Sequence, residues 1–145
     1  MNSEKSIVDQ AGLTEYLQII QEPICRMSTT SAIFKGFAAT ITAGIAALSY
    51  EDISPLVLGL SFIPVLLFAV LDVYYLMLEK KYRFLYNQVR TGQHTIDFSM
   101  ILTKDNKAAS SRWIDCVKSP SIWLFYPIMI AILVTVFIMK MKGVI

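Results

Sequence analysis

The chain has 145 residues, with 13 Lys and Arg against 11 Asp and Glu, and 55% of its residues are hydrophobic. A length that fits one domain and a positive mean hydropathy of +0.56 mark a membrane composition. With a single histidine, the spacing of Cys25 and Cys116 matches no metal site and no redox pair.

The first predicted element is an N-terminal amphipathic helix within residues 1–31. Leu13, Leu17, Ile20 and Ile24 recur there at steps of four, three and four and so share one face. Few basic residues accompany that face, so it is expected to pack against the inner ends of the spans rather than lie on headgroups. Pro23 is expected to interrupt this helix or to start the next, because it lacks an N–H and crowds the carbonyl four residues back. Glu4, Asp9, Glu15 and Glu22 break up the apolar core that a cleavable signal peptide needs. The first span is therefore expected to direct insertion itself.

Three windows, 33–49, 53–78 and 122–139, approach or exceed the roughly 20 apolar residues that cross a bilayer. In the first, Gly36, Thr40 and Gly44 recur every four positions beside Ala39, Ala43 and Ala47. Small residues at this spacing let helix backbones approach closely, the main source of association in lipid. The partner is either the chain's own second span or another copy. Glu51, Asp52, Ser54 and Pro55 form a tight turn, with Ser54 placed to cap a helix that Pro55 begins, so residues 32–78 form a hairpin. Pro64 predicts a kink inside the second span.

That span carries Asp72, a carboxylate in a run otherwise fit for hydrocarbon. A charge at the centre of a spanning helix costs about 2.5–3.5 kcal/mol by insertion scales, so it normally faces other helices, a partner charge or water. Its role is either a bond to a neighbouring helix, with Lys35 or Arg26 as partners at the same depth, or gating and permeation. No breaker follows until Thr91-Gly92, so the second helix is expected to run on into the cytoplasm. On it Asp72, Tyr75, Glu79, Tyr82 and Tyr86 alternate steps of three and four and form one polar and aromatic stripe. The stripe is either an interfacial aromatic belt with an exposed face or the lining of a central axis in an oligomer. In the second case Asp72, Tyr75 and Glu79 are the pore or gating candidates, because a ring of carboxylates favours cations.

Residues 79–119 make a basic region, with eight Lys and Arg against three Asp between positions 80 and 118. By the positive-inside rule this region and the N-terminus lie in the cytoplasm, and the C-terminus emerges outside despite Lys140 and Lys142. The same excess attracts anionic headgroups, nucleotides or acidic protein surfaces. Tyr82, Arg83, Tyr86, Arg90 and Arg112 are the ligand or partner candidates, since stacking combined with cationic groups suits a base and its phosphates. Within the region, 95–102 reads as an extended segment able to form a short strand or hairpin before a polar turn at 103–107. Residues 110–118 read as an interfacial helix ended by Ser119-Pro120. Trp113, Trp123, Phe125 and Tyr126 then anchor the inner face of the third span, and Pro127 bends that span near its start.

No catalytic set is assembled. His94, near Asp97, reads as a surface or hydrogen-bonded loop residue, Cys25 and Cys116 read as reduced thiols, and there is no phosphate-binding glycine loop or activated serine. The chain is expected not to be an enzyme and to need no metal or cofactor. The fold class is all-α: a helical integral membrane protein with an N-terminal amphipathic helix and three transmembrane helices, the second extending into the cytoplasm. Residues 120–145 hold the third span and the tail.

The small-residue hairpin, followed by a second span that runs through Leu71-Asp72-Val73-Tyr74-Tyr75-Leu76 into Glu79, Tyr82-Arg83, Leu85-Tyr86 and Val89-Arg90, resembles SLATT-type and related small bacterial membrane effectors. Those are encoded beside nucleotide second-messenger enzymes or TIR-domain proteins in anti-phage systems. The resemblance covers about residues 24–90, and the third span departs from the two-span pattern. It implies a non-enzymatic homo-oligomeric effector of the bacterial inner membrane that senses a cytosolic nucleotide or defence protein, without nucleic acid, and permeabilises or depolarises the membrane. The alternative is a non-conducting membrane scaffold or regulatory subunit that recruits a cytosolic partner.

Overall fold

The computed structural model describes residues 2–49, 51, 54–101 and 113–143, with side chains from residue 10 onward. Its elements are all helical, in the order α1 (Asn2–Leu48), α2 (Pro55–Leu60), α3 (Phe62–Arg90), α4 (Trp113–Val117), α5 (Pro120–Trp123) and α6 (Phe125–Met141). Among the described residues, three helical stretches are long and apolar enough to cross a membrane: Gln10–Leu48, Pro55–Arg90 and Pro120–Met141. The turn position Asp52, the segment 103–107 and Arg112 lie outside the described residues.

The N-terminal helix and the first span are one helix of 47 residues, and Pro23 does not interrupt it. This corrects the expected break. Pro23 is buried, as are Ile24 and Met27, so packing holds the helix together across a position where one backbone bond is missing. The other two prolines act as the rule requires. Pro64 would crowd the Leu60 carbonyl, and the second span breaks at Ser61 between α2 and α3. There the Ser61 hydroxyl donates to the Leu58 carbonyl at 2.6 Å and helps satisfy the interrupted turn. Pro127 would crowd Trp123 in the same way, and the helix breaks at Leu124 between α5 and α6.

Two separate cores result. Where α1 and α3 run past the apolar bundle they form a two-helix stalk, packed through Tyr16, Ile20 and Ile24 of α1 against Leu85 and Val89 of α3. Leu13 and Leu17 pack partly against it, so the predicted apolar stripe of α1 meets the extension of the second long helix. The second core joins α1, α3, α4, α5 and α6 through Ala38, Val65, Val73, Cys116, Ile122, Tyr126 and Leu133. At the far end of that bundle Lys140 of α6 donates to the carbonyls of Ser49 at 3.2 Å and Glu51 at 2.8 Å. A cation at the C-terminal end of α1 meets carbonyls the helix leaves unpaired and the negative end of its dipole.

Beyond Arg90 the chain turns at Gly92, which adopts φ 70°, and then runs back along the stalk. No strand forms among the described residues, which corrects the expectation for 95–102. The reason is local bonding. Asp97 Oδ1 accepts the Ser99 N–H at 2.9 Å, and the Thr95 carbonyl accepts the Asp97 N–H at 3.0 Å. The interfacial helix expected over 110–118 is described as α4, with its following turn at Lys118 and Ser119.

Candidate functional site: a buried charge cluster at the base of the stalk

Asp72 is fully buried where the stalk meets the apolar bundle. Its partners come from α1, one turn apart. Lys35 Nζ lies 2.5 Å from Asp72 Oδ2 and donates to Ser31 Oγ at 2.8 Å, while the Ser31 hydroxyl donates to Asp72 Oδ1. Residues 31 and 35 share a helix face because they stand four apart, and this places a hydroxyl and an ammonium on the same carboxylate. Oδ2 is balanced by the lysine charge rather than by a directed hydrogen bond. On the third side, Tyr126 of α6 sits beside Asp72 and donates to the Phe68 carbonyl at 3.3 Å. One polar cluster therefore ties all three long helices together.

The rest of the predicted stripe follows the same face of α3 and points largely at α1. Tyr75 meets Phe34 of α1 edge-on, with ring centroids 5.6 Å apart, and Phe34 stacks on Phe68 at 5.9 Å. Glu79 is buried and accepts a hydrogen bond from Arg83 Nε at 2.7 Å, one turn along. Tyr82 and Tyr86 pack against the stalk core. Within this chain Asp72 and Tyr75 thus meet α1, while Glu79 is buried and paired with Arg83 of its own helix.

The ligand candidates do not converge. Arg83 and Tyr86 line a groove of about 290 Å³ with Gln21, Ile24 and Cys25. Tyr82 lies on another groove of about 320 Å³, with Pro23, Arg26 and Met100. Arg90 lines a third, about 500 Å³, at the stalk tip beside Gly92 and His94. The helix-packing candidates Gly36, Thr40 and Gly44 are all exposed, and a Cβ at either glycine would meet nothing within 4 Å. Their face of α1 points away from the chain's own bundle, which instead contacts the opposite face through Ala38 and Thr42. The second span is therefore not their partner. Among the described residues no three His, Cys, Asp or Glu side chains gather as a metal site.

A second feature joins the linker to the stalk. The Tyr16 hydroxyl donates to the Ser99 carbonyl at 2.6 Å and to Asp97 Oδ1 at 3.2 Å, and Phe98 packs its ring on Tyr16 at 5.4 Å. Phe98 adopts φ 55°, a region costly for a bulky residue unless its surroundings hold it. The Ser99 N–H above all, then the Tyr16 hydroxyl and the nearby His94, hold the Asp97 carboxyl below its ordinary value. Neither Ser31 nor Tyr16 stands out in the sequence. The signal available for Ser31 is its four-residue spacing from Lys35, while Tyr16 completes a step of four with Ile20 and Ile24.

Comparison with known proteins gives no matching family model, no matching curated protein and no matching solved structure.

Proposed function

We propose that the chain is an oligomeric effector of the bacterial inner membrane, N-terminus inside, whose cytosolic stalk receives a signal and controls permeability through the Asp72 cluster. The observation that carries this reading is the fully buried Asp72 carboxylate, held by the partly buried Ser31 and Lys35 at the base of the stalk. A carboxylate inside an apolar bundle is stable while neutralised by its lysine, and strongly unfavourable once separated from it. Relative movement of α1 and α3 changes that pairing directly, because the two helices form both the stalk and the pair. The signal is a cytosolic nucleotide or a defence protein acting on the stalk and the basic linker. The outcome is depolarisation or leakage in anti-phage defence, in keeping with the resemblance to SLATT-type effectors. In this reading Asp72, Tyr75 and Glu79 turn toward an oligomer axis only in the active state.

The second reading, a non-conducting scaffold that recruits a cytosolic partner, is favoured by the charge of Asp72 being already satisfied within the chain. Membrane potential and dye uptake after induction separate the two. As an effector, Lys35→Met should raise leakage by freeing the carboxylate, Asp72→Asn should lower it, and the double variant should behave as Asp72→Asn. Leakage at the uninduced level in the natural chain and in all three variants, with normal membrane levels of protein, would establish the scaffold reading instead.

A further inference from the structure

We infer that α4 and α5 form a foot that docks on anionic phospholipid headgroups at the end of the bundle where the stalk begins, an inference that rests on the membrane reading above. Trp113 and Ile114 of α4, and Trp123 and Leu124 at the start of the third apolar stretch, are all exposed, Trp123 at 66%. On a helix, positions 113, 114 and 117 fall on one side, and Val117 is exposed with them. Cys116, on another side of α4, and Ile122 are buried in the bundle core, so the foot is fixed to the protein while its apolar side stays uncovered. Lys80 of α3 adds a second tie by donating to the Asp115 carbonyl at 3.2 Å.

Charge and continuity select the occupant. The segment leads in sequence into α6 within one apolar stretch, Pro120–Met141, and Ile128 and Ile132 there are also exposed. Exposed Lys118 stands between the two tryptophans in sequence. Tryptophan is favoured at headgroup depth, where its ring meets hydrocarbon and its N–H meets water. A lysine on the same segment favours an anionic over a zwitterionic headgroup, by about fivefold in local occupancy per cation near the surface. A second protein copy would bury these rings in a protein contact, whereas lipid leaves them in contact with acyl chains.

The chain carries its own probes, because Trp113 and Trp123 are its two tryptophans. The full chain is placed in phosphatidylcholine nanodiscs containing a minority of brominated phosphatidylglycerol or, separately, brominated phosphatidylcholine. Bromine is carried either near the headgroup end of the acyl chain or near its tip. The expected result is strong quenching by bromine near the headgroup end, weak quenching by bromine at the tip, and clearly more quenching with the anionic lipid. Trp123→Phe should leave the same pattern for Trp113, and Lys118→Glu should remove the anionic preference while keeping the depth profile. Equal quenching by the two lipids, or an anionic preference unchanged by Lys118→Glu, would overturn headgroup selection. Protein that stays with the disc but is not quenched would mean that protein covers the foot. Protein that never enters the disc would instead contradict the membrane reading itself.

Discussion

The stalk and the bundle share α1 and α3, yet they dispose their large apolar side chains differently. In the stalk, apolar side chains point inward: Tyr16, Ile20 and Leu85 have no exposure, and water is excluded from between α1 and α3. In the bundle, large apolar residues such as Leu56, Ile63 and Leu67 point outward, while Thr42, Ser49, Ser61 and Asp72 are among the buried residues. In the membrane reading proposed above, helices gain little from turning leucines toward one another, so close packing and the Lys35–Asp72 ion pair hold them instead. The change of regime falls between Ile24 and Asp72 on the two helices, and the Ser31, Lys35 and Asp72 cluster marks it. A movement that the stalk can make by sliding an apolar seam must break an ion pair where it enters the bundle.

Substitutions on either side of that boundary should therefore differ in kind. The largest loss is expected for Lys35→Met, which strands a buried carboxylate and should cost about 3–5 kcal/mol, read as a lowered unfolding midpoint in detergent. Ile20→Ala removes a fully buried stalk side chain and should cost about 2–5 kcal/mol in the same assay. Leu67→Ala, on the outward face of the bundle, should change it by less than about 0.5 kcal/mol. Equal losses for Ile20→Ala and Leu67→Ala would dissolve the distinction between the two regions.

Smaller effects sharpen it. Tyr16→Phe deletes the hydroxyl that holds Asp97 and Ser99 and should cost about 1 kcal/mol, with faster amide exchange confined to the linker along the stalk. Because the folded pKa of Asp97 lies below its unfolded value of 3.8, the stabilisation from its carboxylate is present above that value. It is lost as pH falls through the lower, folded pKa. Linker amide protection should accordingly be flat near neutrality and fall only in acid. Lys140→Met removes the contacts to the Ser49 and Glu51 carbonyls and should cost about 0.3–1 kcal/mol, with the stalk unaffected.

Much of the helical framework was legible in the residues. The long apolar runs give the three candidate spans, the Thr91-Gly92 break gives the end of α3, and the steps of Leu13, Leu17, Ile20 and Ile24 give the stalk face of α1. Asp72 was recognisable as a group needing a partner, with Lys35 among the residues able to reach it. What periodicity could not carry was the long-range pairing. The Tyr16 contacts to Asp97 and Ser99, and the Lys140 contacts to the end of α1, join residues more than 80 positions apart. Local steric rules were also sound only where nothing opposed them: Pro64 and Pro127 break their helices one turn upstream, whereas burial carries α1 through Pro23. Spacing identified the Gly36, Thr40 and Gly44 face without indicating which way it points.

The ion pair at the base of the stalk is the element on which the account turns, and a double-mutant cycle between Lys35→Met and Asp72→Asn measures it directly. Unfolding in detergent of the natural chain, both single variants and the double variant gives the coupling free energy. The double variant should be more stable than Lys35→Met alone, with a coupling of about 1 kcal/mol or more, because removing the stranded charge relieves the penalty of burying it. Losses that simply add, within about 0.5 kcal/mol, would contradict it and leave Lys35 and Asp72 as independent residues on two helices.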